Sequence, residues 1–206
     1  KECGKKHSYI LKMRMLDLGC GNNKVEGAVG LDNIALTGVN IVHDLLNFPY
    51  PIENESYDII HLRHVIEHFD NKEINDMLNE CHRILNINGK LMISVPHVFS
   101  IAAFTDISHK SYFTFNSGKF WDKTHSKSYY KDRVFLWDLV DTDGDVTWFD
   151  WKGYQLRKID AFFSSLLRKK IIKALNNPKN PSLADRLVKK YSCQFVEIRW
   201  TFSREI

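Results

Sequence analysis

Residues 15–22 read Met-Leu-Asp-Leu-Gly-Cys-Gly-Asn, so that a short apolar run ends in an acid and passes at once into a glycine-rich turn. This pattern is typical of a buried parallel strand followed by a loop that lies against a ligand. Gly19 and Gly21 lack a Cβ, so the turn can adopt positive φ and let a ligand approach its N–H groups. Taken alone, a Gly-x-Gly turn predicts an ordinary strand–turn about as well as a ligand loop.

The composition predicts one α/β domain with a substantial core, because 44% of the 206 residues are hydrophobic. No apolar run approaches the roughly 20 residues that span a bilayer, and the polar start of the chain does not resemble a signal peptide. The four cysteines form no Cys-x-x-Cys pair, which favours free thiols in a reducing compartment. We therefore expect a cytoplasmic protein with no membrane partner. The net charge of +4 is mild and leaves an RNA partner open.

Hydrophobic periodicity and turn residues predict an alternation of strands and helices. Strands are predicted over 13–18, 28–32, 40–43, 57–62 and 90–95. A helix should begin at Asp70, which forms a capping box with Glu73, and end at Asn88-Gly89. Too few residues follow Gly21 for a full crossover helix before the second strand, so the first helix should be truncated to about one turn.

The second half of the chain is less regular. Residues 97–151 should form a capping insertion, or lid, over the ligand pocket, with a short helix near 116–122 and a hairpin whose arms, 134–140 and 146–151, meet at Asp143-Gly144. A sixth strand over 153–159, helices over 160–175 and after Ser182, and an antiparallel last strand over 194–203 complete the prediction. The predicted fold is a single α/β domain over 1–206 with a Rossmann-like, mostly parallel sheet flanked by helices.

Three acids, Asp17, Asp32 and Asp44, end three successive predicted strands. Ligands of open parallel sheets bind at the carboxyl ends of the strands, and carboxylates accept hydrogen bonds from ribose hydroxyls and exocyclic amines. The three acids beside a Gly-x-Gly turn therefore predict an adenosine-containing ligand. A nicotinamide dehydrogenase would need Gly-x-Gly-x-x-Gly at the start of a full helix, and the residues after Gly21 do not complete that motif.

These motifs, in this order, resemble those of class I S-adenosylmethionine-dependent methyltransferases of the methyltransferase type 11 group. The resemblance rests on residues 16–22, 30–32, 43–45, 57–60, 65–68 and 80–91. It covers 13–96 well and is weak beyond them, and Asn23 replaces the usual third glycine of the loop. It implies an enzyme, S-adenosylmethionine as cofactor, and a set of cofactor-binding positions. Those positions are Asp17, Gly19, Cys20, Gly21 and Asn22 for the methionine end, Asp32 and Asn33 for the ribose, Asp44 and Leu45 for the adenine, and Leu62, Arg63 and His64 for the methyl-bearing centre.

Methyl transfer to a hydroxyl or amine also needs a group that takes the acceptor's proton. Asp106-x-x-His109 follows the fifth strand, and a histidine titrates in a suitable range. His109, oriented by Asp106, is the first candidate for this base, followed by His97 and His68. A hydrogen-bonded loop histidine is an equally good interpretation of each.

His64-x-x-Glu67-His68 has three interpretations. It is the inverted zinc-peptidase motif, which needs a long helix and a further ligand that are not indicated here. It also resembles the metal-binding Glu-x-x-Glu-His of some O-methyltransferases, with His64 in place of the first glutamate. The third interpretation, a structural role in the loop after the fourth strand, is the one that we favour, so no metal ligand is predicted.

The predicted function is S-adenosylmethionine-dependent methyl transfer to an O or N atom of an unidentified small molecule. One alternative is a non-catalytic cofactor-binding or interaction module, whose mark would be a lid that plugs the acceptor pocket. Another is an RNA-modifying methyltransferase, suggested by the paired lysines 169–170 and 189–190.

Overall fold

A seven-stranded sheet organises the computed structural model, which describes residues 13–123, 137–147, 166, 169–177, 182–191 and 195–204. The strand order is β3-β2-β1-β4-β5-β7-β6. The strands are β1 (Met15–Leu18), β2 (Val29–Asp32), β3 (Ile41–Val42), β4 (Tyr57–Arg63), β5 (Leu85–Pro96), β6 (Asp138–Thr147) and β7 (Phe195–Ser203). Strands β1 to β5 pair in parallel, and β7 runs antiparallel to both β5 and β6. The predicted fold class is confirmed.

The order of the strands creates a crevice at the middle of the sheet. The chain builds outward from β1 to β2 and β3, then returns to place β4 on the other side of β1. At such a switch point the loops after neighbouring strands diverge to opposite faces and leave room for a ligand. Leu16 and Leu18 of β1 and Ile60 and Leu62 of β4 are fully buried, so the floor of this crevice is the rigid centre of the core.

Helix α1 (Asn71–Ile84) confirms the predicted start at Asp70. The Asp70 carboxylate accepts hydrogen bonds from the N–H groups of Lys72 and Glu73, and the Glu73 carboxylate accepts one from the Asp70 N–H. The predicted end at Asn88-Gly89 is wrong, because the helix stops at Ile84 and β5 begins with the next residue. Asn88 does adopt the positive φ expected of it, at 65°. It uses this conformation inside β5, where its N–H donates to the Arg204 carbonyl.

The connection from β1 to β2 contains no helix over residues 19–28, all of which the structure describes. Two tight turns replace it, closed by hydrogen bonds from the Asn23 N–H to the Cys20 carbonyl and from the Ala28 N–H to the Val25 carbonyl. Gly27, at φ 78°, lies in the reversal before β2. The predicted truncation is therefore confirmed and goes further than a single helical turn.

The predicted hairpin around Asp143-Gly144 is wrong. Strand β6 passes through both residues without turning, and its register with β7 places Asp143 opposite Arg199 and Gly144 opposite Ile198. The preference of the dipeptide for a turn is a local effect, and it is outweighed by a ladder that extends from Asp138 opposite Ser203 to Thr147 opposite Phe195.

Residues 97–123 pack onto the sheet through aromatic side chains. They contain α2 (Ala102–Thr105) and a 3₁₀ turn, Ser117–Phe120, close to the predicted short helix. Trp200 of β7 is fully buried against Phe113 and Trp121, and its indole N–H donates to the Phe115 carbonyl. This part of the insertion is thus continuous with the core.

The last helices follow the prediction where the structure describes them. Helix α3 covers 169–175 and α4 covers Leu183–Tyr191, directly after Ser182. Ile171, Ala174 and Ala184 are buried against the core. The first twelve residues and the predicted strand over 153–159 lie outside the described residues.

Candidate active site at the carboxyl ends of the strands

A cavity of about 310 Å³ opens at the carboxyl ends of the central strands. It is lined by the glycine turn after β1, the end of β2 and the loops after β3 and β4. The lining residues are Gly19, Asp32, Asn33, Asp44, Leu45, His64, Val65, His68 and Phe69. The volume falls within the range of about 300–1,000 Å³ that small-molecule sites occupy. Seven of these nine residues are predicted site residues.

The glycine turn has the positive φ angles that the sequence predicts. Gly19 adopts φ 64° and Gly21 adopts φ 51°. A Cβ on Gly19 would lie 2.7 Å from Cγ2 of Val65, whereas a Cβ on Gly21 would meet no atom within 4 Å. Gly19 is therefore required by the close approach of the β4 loop, and the surface over Gly21 is left open.

Asp32 connects the end of β2 to the glycine turn. Its Oδ2 accepts a hydrogen bond of 2.8 Å from the Gly21 N–H, and its Oδ1 accepts one of 3.1 Å from the Ile34 N–H. Each carboxylate oxygen has two lone pairs, so both keep one acceptor position. Asp32 can thus hold the turn in place and still accept two hydroxyl donors from a ligand in the cavity.

Asp44, after β3, is exposed at the cavity wall. Its Oδ1 accepts a hydrogen bond of 2.9 Å from the Leu46 N–H, which closes a tight turn around the buried Leu45. The loop therefore presents one carboxylate and one apolar side chain to the cavity, a combination that suits a flat ring with an exocyclic donor.

Asp17 is fully buried at the end of β1 and forms an ion pair with Arg63 from the end of β4. Its Oδ2 lies 2.8 Å from Arg63 Nη2 and accepts a hydrogen bond of 2.7 Å from the Val25 N–H. Arg63 also donates to the Asn23 carbonyl. The pair therefore ties the loop after the glycine turn to β4. Within the described structure, Oδ1 of Asp17 accepts no hydrogen bond. A buried acceptor without a donor is costly.

His64 adopts a positive φ of 55° directly after β4 and bridges two carboxylates. Its Nε2 lies 3.0 Å from Oε2 of Glu197 on β7, and its Nδ1 lies 3.3 Å from Oε1 of Glu67. The hydrogen bond to Glu197, followed by the interaction with Glu67, raises the pKa of His64 to about 9. Burial raises the pKa of Glu197, but the hydrogen bonds from His64 and Arg199 lower it on balance. The wall of the cavity at this point therefore carries an imidazolium.

His68 and His109 lie edge to face with ring centroids 4.8 Å apart. The Nδ1 of His109 is 2.9 Å from the Ala103 carbonyl, which can only accept, so this nitrogen carries the proton. The Nδ1 of His68 is 2.9 Å from the Ser108 hydroxyl oxygen. The Ser108 hydroxyl donates its proton to Asp106 Oδ1, at 2.6 Å, and therefore accepts the hydrogen bond from His68. In the neutral form of each ring, the lone pair therefore lies on Nε2.

The position of Asp106 differs from the prediction. Asp106 was expected to orient His109, but its Oδ1 accepts from the hydroxyl and the N–H of Ser108 and thereby orients His68. The same hydrogen bonds lower the pKa of Asp106. The physical reason is the tight turn at 106–108, which directs the Asp106 carboxylate back onto Ser108.

Comparison with known proteins bears on what this site does. A family model described as a methyltransferase domain matches residues 2–139 of the chain. The chain belongs to the methyltransferase domain family. This assignment confirms the predicted enzyme class and its cofactor, S-adenosylmethionine. No protein with a curated function matches the sequence.

Solved structures show that the methyltransferase shares its fold with distant proteins. One is a SAM-dependent methyltransferase from Archaeoglobus fulgidus, 16% identical, with a TM-score of 0.56 over 93% of this chain and 86% of that one. Another is the YcgJ protein from Bacillus subtilis, 13% identical, with a TM-score of 0.52 over 95% of this chain and 93% of that one. Within the described residues of the methyltransferase, no helix combines the length and the apolar character needed to cross a bilayer.

Some predicted site residues of the methyltransferase lie away from the cavity. His97 is fully buried, and both of its ring nitrogens are engaged, Nε2 by Asp185 at 2.9 Å and Nδ1 by the Phe99 N–H at 3.1 Å. It has no free lone pair and so does not fit the role of base. Leu62 and Cys20 are buried in the core, and burial raises the pKa of the Cys20 thiol. Asn22 is exposed at the tip of the turn.

Two residues at the cavity of the methyltransferase were missed by sequence reasoning. Val65 and Phe69 both line the cavity from the loop after β4. The available signal was their interleaving with His64 and His68, since apolar residues that alternate with polar ones after a strand end can form the wall of a pocket.

Proposed function

We propose that this methyltransferase transfers the methyl group of S-adenosylmethionine to an oxygen or nitrogen atom of a small-molecule acceptor. The observation that carries the proposal is the cavity at the carboxyl ends of β1, β2, β3 and β4, which is lined by six of the twelve predicted cofactor residues. The cofactor supplies a methyl group bonded to a sulfonium, which is transferred in line to the acceptor atom as the thioether leaves. The task of the protein is therefore to place the two reactants and to receive the acceptor's proton.

Different residues would bind different parts of the cofactor, according to their chemistry. Asp17 would take the methionine ammonium at Oδ1, which accepts no hydrogen bond within the described structure, and the turn from Gly19 through Cys20 and Gly21 to Asn22 would pack against the methionine end. The N–H groups of Gly19 and Cys20 donate to the Leu31 carbonyl and that of Gly21 donates to Asp32, so the turn would offer the cofactor its open glycine surface. Asp32, beside Asn33, would accept from the ribose hydroxyls, and Asp44 and Leu45 would contact the adenine. The end of β4, with Leu62, Arg63 and His64, would lie next to the methyl-bearing centre.

His68 and His109 are the candidates for the group that takes the acceptor's proton. His68 lines the cavity, and both rings keep an Nε2 lone pair because their Nδ1 atoms donate elsewhere. Asp106 is a positioning residue in this proposal, since it acts on His68 through Ser108. His109 belongs to residues 97–151, and its position beside His68 at the cavity supports the proposal that this segment selects the acceptor. The segment is part of a single domain, 1–206. The same position favours an enzyme over a cofactor-binding module that has no catalytic activity.

Calorimetry with S-adenosylhomocysteine tests the cofactor assignment. Asp32→Ala should bind about 10- to 100-fold more weakly than wild type, because a hydrogen bond to a charged group contributes roughly 1.5–3 kcal/mol. Asp76→Ala removes the same charge from an exposed position on α1 and should bind like wild type. No binding by the wild-type protein would refute the proposed function. Equal affinities of wild type and Asp32→Ala would refute only the role of Asp32.

The acceptor is best sought by incubating the protein with S-adenosylmethionine and panels of hydroxyl and amine compounds, or with RNA, and measuring the S-adenosylhomocysteine that is formed. Turnover on small molecules is the expected result. Turnover on RNA alone, with a steep dependence of binding on salt, would instead support the RNA-modifying alternative.

A further inference from the structure

We propose that Glu67, His68 and His109 form a binding site for a divalent transition-metal ion beside the cofactor cavity. One potential ligand atom from each residue lies within 4.8 Å of the other two. Two imidazoles and one carboxylate are a common ligand set in catalytic metal sites, where they leave one or more coordination positions open. A metal site of His64, Glu67 and His68 was one interpretation of the sequence motif, whereas the cluster in the structure consists of Glu67, His68 and His109.

Glu67 is the first reason for a cation at this place. Its exposed fraction is 0%, and in the described structure neither of its carboxylate oxygens accepts a hydrogen bond. His64 is the cation that the structure places beside it, with Nδ1 3.3 Å from Oε1. A buried carboxylate that lacks hydrogen bonds is strongly unfavourable unless a cation compensates it. Within the described part of the chain Oε2 accepts no hydrogen bond, and a metal ion would give this oxygen a direct ligand bond beside the charge of His64.

The hydrogen bonds of the two histidines fix the ring nitrogen that is available to a metal. A metal-binding histidine coordinates through one ring nitrogen and donates the proton on the other to a carbonyl, carboxylate or similar acceptor, which fixes the tautomer. His109 does this with the Ala103 carbonyl, and His68 does it through Ser108. The chain from His68 through Ser108 ends on the Asp106 carboxylate. Both Nε2 atoms therefore carry the lone pair that a metal requires.

Hydrogen bonds from residues 110 and 111 hold the two halves of the site together. The N–H groups of Lys110 and Ser111 both donate to the Glu67 carbonyl, at 2.8 and 3.0 Å. The Ser111 hydroxyl donates to the Phe69 carbonyl at 2.6 Å. His109 is thus held beside Glu67 and His68 by three bonds that flank the cluster.

The ligand types select the class of metal. Imidazole nitrogens favour Zn²⁺ and its neighbours among the transition metals over Mg²⁺ and Ca²⁺, which prefer oxygen-only sites. Ligand bonds of about 2.0–2.2 Å imply ligand atoms roughly 3–3.5 Å apart. The three side chains would therefore draw together by about 1 Å on binding, a movement within the reach of small side-chain rotations.

The site faces the place where the acceptor would lie, because His68 also lines the cofactor cavity. A metal held there could bind an acceptor hydroxyl at an open position and lower its pKa, so that the hydroxyl proton is released to solvent. His68 and His109 would then serve as ligands in place of a base. This consequence rests on the proposed function. Metal binding itself does not, and it can be measured without cofactor or acceptor.

The test uses tag-free protein, treated with a chelator, dialysed and titrated with Co²⁺ while its visible absorption is recorded. Wild type should bind one equivalent with the intense absorption of a site of low coordination number, and Zn²⁺ should displace it. His109→Gln should weaken Co²⁺ binding at least tenfold. His82→Gln is the matched control, because His82 packs against Trp137 outside the cluster, and it should bind like wild type.

Ser108→Ala tests the hydrogen bond between His68 and Ser108, which lies outside the three proposed ligands. It leaves the three ligands in place but removes the acceptor of the His68 Nδ1 proton, so Co²⁺ affinity should fall about 10- to 100-fold. This variant keeps the proposal testable if replacing the buried Glu67 prevents folding.

Absence of a one-equivalent spectrum in wild type, or equal affinities of wild type and His109→Gln, would overturn the inference. Calorimetry with S-adenosylhomocysteine on the same samples separates the two proposals. Intact cofactor binding without Co²⁺ binding refutes only the metal site, and the converse refutes only the proposed function.

Discussion

Gly19 is the residue of the glycine turn with the least freedom to change. Both Gly19 and Gly21 have positive φ, so alanine at either position should cost about 1–2 kcal/mol in backbone strain. Only at Gly19 would the new Cβ meet a neighbour, Cγ2 of Val65 at 2.7 Å. Valine is stiff about χ1 and cannot easily give way. Gly19→Ala should therefore lower the free energy of unfolding by at least about 1 kcal/mol more than Gly21→Ala.

Urea unfolding of the two variants beside wild type measures this difference. Each variant serves as the control for the other, because the two share the same substitution and the same region of φ. Equal losses of stability would show that the contact between Gly19 and Val65 does not constrain the turn.

At this scale the sequence predicts residues whose chemistry is local and misses those whose partners are distant. The glycines and the acids at the strand ends could be predicted because a strand followed by a turn is a local pattern. The roles of His97 and His109 could not, because a histidine's function depends on which nitrogen is engaged. Asp185 engages His97 and the Ala103 carbonyl engages His109, and only the folded chain shows these contacts.

Among the elements, α1 depends on its capping box. Asp70→Ala removes the acceptor of two N–H groups of the first turn, those of Lys72 and Glu73. The free energy of unfolding should fall by about 1 kcal/mol. Because α1 buries Ile74, Met77 and Ile84 in the core, the loss should appear in the global urea transition at an unchanged m-value.

Asp76→Ala is the control for this prediction, since Asp76 lies on the same helix and accepts only the exposed contact from Lys72 Nζ among the hydrogen bonds of the described chain. Its effect should be much smaller. If both variants lost the same stability, the effect of Asp70 would be one of charge and not of capping.

The contrast between α1 and β6 shows which elements the sequence can predict. The capping box is complete within four consecutive residues, 70–73, so its geometry follows from the sequence alone. Asp143-Gly144 is an equally local signal, but the strand that contains it pairs with residues 195–203, far along the chain. The pairing partner, which no local pattern reveals, determines that β6 continues.

For the whole molecule, the order of the strands couples ligand binding in the cofactor cavity to the stability of the domain. The cavity is formed by loops that follow β1, β2, β3 and β4, and these strands form one continuous part of the sheet. The loops are anchored on these strands, so their arrangement depends on the sheet. A ligand that binds in the cavity should therefore stabilise the entire sheet.

Residues 97–123 extend this coupling to the other side of the sheet. Lys110 and Ser111 are bonded to the Glu67 carbonyl, and Phe115 is bonded to Trp200 of β7. The sequence predicts an aromatic insertion here because of its composition, but aromatic residues without a period do not indicate what they pack against. The structure shows that they link the loop after β4 to the far strands.

Thermal unfolding with and without S-adenosylhomocysteine tests the coupling. A ligand that binds only the folded state at 100 times its Kd adds about 2.7 kcal/mol of stability, and a domain of this size gains roughly 2–4 °C in Tm per kcal/mol. The Tm of wild type should therefore rise by about 5–11 °C. At the same ligand concentration, Asp32→Ala, with a Kd ten times higher, should gain about half as much relative to its own ligand-free Tm.

A wild-type protein that binds the ligand by calorimetry without a rise in Tm would show that the cavity loops order separately from the sheet. Equal shifts for both proteins would place Asp32 outside the binding contact, because mass action converts every loss of affinity into a smaller shift.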